Sequence, residues 1–309
     1  MQPRLLVHPM MSAFRRMAGT LALLVAVAAQ ACGGGSGPTG PSERPNLPPT
    51  GVLAGAGDIA WCGPLGGMAL TARLLDAIDG TIFTAGDNAY LSGRAEEFLN
   101  CYDPHWGRFK SRTRPIAGNH DYESPGAGPY YDYFGAAAGP AGLGYYSYTV
   151  GPWLILALNS EIEIGTGSPQ LAWLDAELTN WPGRCVAALM HRPRFTSGSN
   201  GDNPDLTDIW RVLYARGVEL VISGHDHLYE RFAPQDAEGR PDPARGIRLF
   251  IVGTGGAPLG DFVGVRRNSE VRGRGWGIIR LNLQTDGYAW EFKPAAGSTV
   301  SDSGVGSCH

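Results

Sequence analysis

Five short apolar, β-rich runs in this chain each end in a turn that presents a polar cluster. The clusters are Gly57-Asp58, Gly86-Asp87-Asn88-Ala89-Tyr90, Gly118-Asn119-His120-Asp121, His191 and Gly224-His225-Asp226-His227. Alternating strands and helices place such turns at one edge of a sheet, where ligand sites of α/β folds gather. A glycine there lets the chain reverse sharply and project the next side chain into a shared crevice. The pattern predicts one site that collects all five clusters.

The rest of the chain fits that architecture. Strands are predicted over residues 52–54, 81–84, 114–117, 153–158, 185–190, 218–222, 247–252, 276–283 and 288–293, and helical periodicity is present over residues 68–78, 169–178 and 204–214. The expected fold is an α/β sandwich of two mixed sheets flanked by helices. No internal repeat or second domain is visible. A net charge of -4, with no long Lys/Arg run, gives no footprint for a nucleic-acid backbone.

The amino end reads as an export signal. Arg4, Arg15 and Arg16 precede an apolar stretch over residues 17–29, about 13 residues long, which suits a secretory segment and falls short of the roughly 20 that span a bilayer. Ala29-Gln30-Ala31 satisfies the small-x-small rule for cleavage, while Ala-Gln-Ala-Cys32 resembles a bacterial lipobox, the favoured reading. The division is a signal peptide over residues 1–31, a Gly/Pro/Ser-rich tether over residues 32–50 and a folded domain over residues 51–309, which carries all five polar clusters. A lipidated Cys32 would anchor the protein to a membrane, in the bacterial periplasm or cell envelope. The remaining cysteines, Cys62, Cys101, Cys185 and Cys308, are even in number and allow three pairings, of which Cys62–Cys101 with Cys185–Cys308 is favoured.

Taken singly, each polar cluster is an ordinary turn. Their order is specific: Asp58, then Gly-Asp-x-x-Tyr, then Gly-Asn-His-Asp, then His191, then Gly-His-x-His resembles the signature of the purple acid phosphatase branch of the calcineurin-like metallophosphoesterases. The resemblance runs from about Gly51 to Gly256. It implies an exported phosphoesterase acting on phosphate monoesters, with a water acidified by two metals as the attacking group. A phosphodiesterase acting on a cyclic nucleotide or phospholipid head group, and a lipoprotein that binds phosphorylated ligands without turnover, are the alternatives.

By the same resemblance Asp58, Asp87, Tyr90 and His227 hold one metal, and Asp87, Asn119, His191 and His225 hold a second, with Asp87 bridging. Asp, Asn, His and Tyr are oxygen and imidazole donors that suit iron, zinc or manganese. Many relatives in the wider superfamily carry a His two residues after the first Asp, where this chain has Ala60, so Tyr90 supplies the missing ligand. A hard phenolate favours a trivalent ion, hence Fe(III) with Zn(II), Mn(II) or Fe(II). The spacing of His225 and His227 suggests an extended segment that shows both to one face. His120 is assigned to phosphate contact and leaving-group protonation, and Asp121 to orienting His120 or a ligand. Plant members carry further histidines soon after the position of His191, whereas this chain has Arg192-Pro193-Arg194-Phe195, where Arg192 or Arg194 either contacts phosphate or is a solvated arginine. Gly253-Thr254-Gly255-Gly256 resembles the glycine-rich loop that borders the family's metal site. Oligomeric state is not legible.

Overall fold

A computed structural model describes residues 50–309. The export signal, Cys32 and all but the last residue of the tether lie outside the described residues. Two mixed sheets pack face to face. The first runs in the order Ser303–Ser307, Gly287–Pro294, Gly277–Gln284, Gly51–Ala56, Thr81–Ala85, Thr113–Ile116. The second runs Ser269–Gly273, Tyr229–Phe232, Arg248–Val252, Leu220–Ser223, Val186–Leu189, Trp153–Ala157, Tyr146–Val150. A small parallel pair, Ala60–Trp61 with Ala89–Tyr90, forms a separate two-stranded sheet.

Period-two alternation decides which face each side chain covers. Leu53, Phe83, Ile155, Leu189, Ile222 and Phe250 meet between the sheets. Their neighbours Leu154, Leu156, Val221 and Leu249 pack outward against the helices Pro169–Asn180 and Thr207–Ala215. On the opposite side Ala54, Ala56 and Ile82 pack beneath the helix Met68–Leu75 and a cluster holding Phe98, Tyr102, Trp106, Tyr130 and Phe134. The result is helices, sheet, sheet, helices: the expected α/β sandwich of two mixed sheets.

Differences from the sequence expectations fall at element ends. The first helix stops at Leu75 rather than at Ile78. The helical segment from Pro204 opens with a 3-10 turn, Pro204–Leu206, before the α-helix. The strand expected from Val218 begins at Leu220, because the left-handed Gly217 ends the preceding helix and Val218 N–H donates back to Leu213 O at 3.0 Å. Short polar or glycine-rich strands such as Tyr229–Phe232, Ser269–Gly273 and Ser303–Ser307 carry too little apolar signal to be seen, and backbone pairing with neighbours forms them.

The disulfides are Cys62–Cys101 and Cys185–Cys308, the favoured pairing. The first ties the loop after Ala60–Trp61 to the segment Phe98–Tyr102. The second fastens the carboxyl end to the start of the strand Val186–Leu189. Among the described residues no helix is long and apolar enough to cross a membrane.

Candidate metal centre

The carboxyl ends of three adjacent parallel strands in the first sheet deliver Asp58, Asp87 and Asn119. Two parallel strands of the second sheet deliver His191 and the His225–His227 segment. Because the sheets pack face to face, both sets open onto one cleft. The turns that aim them are tight: Asp58, Asp87 and His225 all adopt left-handed backbone, with φ of 60°, 51° and 71°. That conformation is costly for residues with a Cβ and is found mostly at functional sites. Gly86, with φ 83°, leaves the space that the His191 ring fills.

Two sets of donors converge. In the first, the Tyr90 hydroxyl lies 2.7 Å from Asp58 Oδ1, 3.0 Å from Asp87 Oδ2 and 3.0 Å from His227 Nε2. In the second, His191 Nε2 lies 3.0 Å from Asn119 Oδ1, 3.3 Å from Asp87 Oδ2 and 3.2 Å from His225 Nδ1. Asp87 Oδ2 belongs to both. All seven residues expected as ligands are therefore brought together, with Asp87 at the junction.

The ring nitrogens are oriented by backbone. His191 Nδ1 donates to Ala85 O at 2.8 Å and His227 Nδ1 donates to Pro258 O at 2.8 Å, which leaves each Nε2 directed at the cluster. The histidine segment corrects one expectation. His225 and His227 reach the cleft through consecutive tight turns, with Asp226 N donating to Gly224 O and Leu228 N to Asp226 O, and the segment is not an extended strand. Between them the buried Asp226 accepts from Thr196 Oγ1 at 2.7 Å and from Asn200 N at 3.2 Å, fastening the loop after His191 to the ligand segment.

Charge at the cluster fits a cation. Asp58 and Asp87 are buried, and among the described residues their ion pairs are with His227 and His191. Burial would raise the Asp87 carboxyl, but His191 and then His120 outweigh it and hold it well below the usual range. Burial opposes charge on His191 and on His227, yet Asp87 and Asp58 respectively overcome it and push the two up to about 10 and about 9. Burial, together with His191 and Arg192, pushes His225 down to about 3. Burial and the neighbouring Asp58 and Asp87 hold the Tyr90 phenol well above its ordinary value. Imidazole protons thus neutralise buried carboxylates in the place a metal ion would take. Asp58, Asp87 and His191 offer ligand atoms all within 4.8 Å of one another, so these residues fit a metal.

His120 lies beside the donors. Its N–H donates to Asp87 Oδ1 at 2.8 Å, its ring packs on Tyr90 with centroids 4.6 Å apart, and Nδ1 donates to Leu91 O at 2.6 Å. Only Nε2 remains for a substrate, and His120 lines a cavity of about 290 Å³ over the cluster. Asp121 does not meet the His120 imidazole. Its buried carboxylate accepts from Gly118 N at 2.9 Å, Asn88 Nδ2 at 2.9 Å and Asn88 N at 3.2 Å, joining the two turns that carry Asn119 and Asp87. Burial and nearby Asp87 push it up to about 7.

Neither arginine is placed as a phosphate contact. Arg192 forks onto Glu161 with contacts of 2.9–3.0 Å, and Arg194 lies over the Phe195 ring and lines neither cavity at the cleft. Ser199 and Asn200 line the cavity instead; nothing in their small-residue loop marks them in the sequence. The glycine-rich loop borders the centre as expected: Gly255 N donates to Gly57 O and Ala257 N to Asp58 O, both at 2.8 Å.

A family model described as calcineurin-like phosphoesterase matches residues 53–229, more than half of the 309-residue chain. Among curated relatives, probable purple acid phosphatase 20 of Arabidopsis thaliana is 29% identical over 167 residues, 44% of this chain and 38% of that protein. Purple acid phosphatase 18 of the same plant is 27% identical over 254 residues, 72% of this chain and 54% of that protein. The chain thus spans about half, or less, of the length of these relatives. In solved structures, a purple acid phosphatase from yellow lupin (Lupinus luteus) seeds superposes with a TM-score of 0.67 at 18% identity, over 83% of this chain and 54% of that one. GAP50, the anchor in the inner membrane complex of Plasmodium, gives 0.65 at 15% identity, over 84% and 89%. At these identities the two structures show the shared fold. With the sequence match added, the chain belongs to the calcineurin-like phosphoesterase family, with purple acid phosphatases among its relatives.

Proposed function

We propose that this protein is an exported phosphatase that hydrolyses phosphate monoesters at a dinuclear metal centre. The observation that carries the reading is Asp87 Oδ2, within 3.3 Å of donors from both ligand sets. Asp58, Asp87, Tyr90 and His227 would hold one ion, and Asp87, Asn119, His191 and His225 the other. Such a pair would neutralise phosphoryl oxygens and acidify a water for in-line attack. The hard Tyr90 oxygen favours Fe(III) in its set, with Zn(II), Mn(II) or Fe(II) in the other.

The chain's own groups do the rest. His120, its Nδ1 occupied by Leu91 O, presents Nε2 to a phosphoryl oxygen or to the departing alcohol and supplies the proton that alcohol needs. Asp121 positions both ligand turns and does not exchange protons with the substrate. Asp226 holds Asn200 at the mouth by accepting from its N–H. The two disulfides support export, since such bonds persist in oxidising compartments. Anchoring through a lipidated Cys32 belongs to the same proposal.

GAP50 is an anchor in its own setting, so this fold does not by itself imply turnover. The full donor set favours the enzyme. The deciding experiment compares p-nitrophenyl phosphate with bis-p-nitrophenyl phosphate on the iron- and zinc-loaded protein. Faster release from the monoester is expected. Preference for the diester, or full metal loading with no hydrolysis of either, would replace the proposal with one of the alternatives.

A further inference from the structure

Beside the metal cavity lies a larger one, of about 520 Å³, walled by the segment Ser160, Glu161, Ile162, Glu163, Ile164 and by the loop that runs from Asn200 to Asp205. His225 and Asn200 line both cavities, so the two meet at a ligand of the centre. Asn200 is fixed at that junction: its N–H donates to Asp226 Oδ1 at 3.2 Å and its Nδ2 to His225 O at 3.0 Å. A phosphoryl group held over the ligand cluster would therefore have room for its alcohol past His225.

The charge of this side cavity is readable residue by residue. Arg192 looks at first like an anion clamp, with Nη1 3.4 Å from His225 Nε2. Its Nε and Nη2 fork onto Glu161 through three contacts of 2.9–3.0 Å, so the carboxylate balances its charge even though Nη1 stays at the His225 junction. Asp202 is matched in the same way by Arg266 at 2.9 Å. Glu163 and Asp205 remain, both exposed on the walls and neither ion-paired with a basic residue among the described residues. Once the matched pairs cancel, the cavity that adjoins the reaction centre carries excess negative charge.

We propose that this side cavity receives the alcohol portion of the ester and that Glu163 and Asp205 select against leaving groups that carry negative charge. The preferred substrates are monoesters of cationic or neutral alcohols, with aminoalkyl phosphates the best fit. Sugar bisphosphates and carboxyalkyl phosphates are the poorest. This rests on the phosphomonoesterase reading and specifies its substrate class. Two exposed carboxylates on the cavity wall give roughly a tenfold discrimination between arms of opposite charge in dilute buffer. Salt weakens it, because the cavity is open to solvent.

The test is calorimetric binding of three non-hydrolysable phosphonates to the metal-loaded protein: methylphosphonate, 3-aminopropylphosphonate and 3-phosphonopropionate. The amino compound should bind about tenfold more tightly than the carboxylate at low salt, and the gap should shrink at 0.5 M salt. In a Glu163→Gln, Asp205→Asn double variant the gap should fall to about twofold or less. Turnover of O-phosphoethanolamine against phosphoglycolate should follow the same order. Equal binding of the two extended phosphonates, or a gap that survives in the double variant, overturns the inference while binding of methylphosphonate leaves the phosphatase reading standing. No binding of methylphosphonate would remove the reading beneath it as well.

Discussion

Loading the metal-free protein with two cations at pH 7 should expel close to three protons from the protein's own donors, in addition to what the acidified water releases. His191 and His227 are pushed up to about 10 and about 9, as Asp87 and Asp58 overcome the effect of burial. Each therefore holds a proton at pH 7 that a cation must displace. The Tyr90 phenol, held above its ordinary value by burial and by Asp58 and Asp87, gives the third when its oxygen becomes a ligand. Asp87 is already ionised and His225 already neutral, so neither contributes. Asp121, pushed up to about 7, adds a fraction at most. Calorimetric titration with zinc in buffers of different ionisation enthalpy reads the number directly. It should drop by about one in Tyr90→Phe, and it should also fall as pH rises from 7 to 9, because His227 is then half deprotonated beforehand. The same raised values give the sign for the metal-free fold. The charged imidazoles stabilise it fully below their unfolded value of about 6.5, and that contribution is lost as pH rises through about 9 and 10. Release of less than one proton at pH 7 would refute the assignment of these donors to the metals.

Iron-loaded protein should absorb in the visible through the Tyr90 phenolate, and Tyr90→Phe should abolish the band; an unchanged spectrum would mean that another group binds the iron. His120→Ala should keep both metals and lose about 10²- to 10⁴-fold in kcat, the usual range for a displaced general acid, and metal loss in that variant would make His120 a structural support of the centre. Replacing Cys185 and Cys308 by serine opens a closure of 123 residues, which chain entropy values at about 5 kcal/mol; urea unfolding that shows no loss would place the stabilisation elsewhere.

Six of the seven residues expected as ligands were legible because they stand in the turns that follow strands, and Tyr90 because the motifs fall in a fixed order along the chain. What the sequence hides is pairing at a distance. Glu161 sits in the alternating run Glu161-Ile162-Glu163 and gives no sign that it will neutralise Arg192, so that arginine reads as a phosphate contact until the fork is seen. Asp121 follows His120 directly, which suggests a dyad, but the turn directs its carboxylate at Asn88 and Gly118. Asp226 lies between two ligands and is itself a latch for the Thr196–Asn200 loop, a role set by how the second sheet brings two loops together. The strand Ser303–Ser307, four of whose five residues are glycine or serine, exists because the edge of Gly287–Pro294 offers backbone partners.

The central claim is that two cations share Asp87. Anomalous scattering from crystals of the metal-loaded protein tests it most directly. Two peaks about 3.5–4 Å apart, each within bonding distance of Asp87 and together contacting Asp58, Tyr90, Asn119, His191, His225 and His227, are predicted. One peak, or peaks that avoid Asp87, would contradict the account.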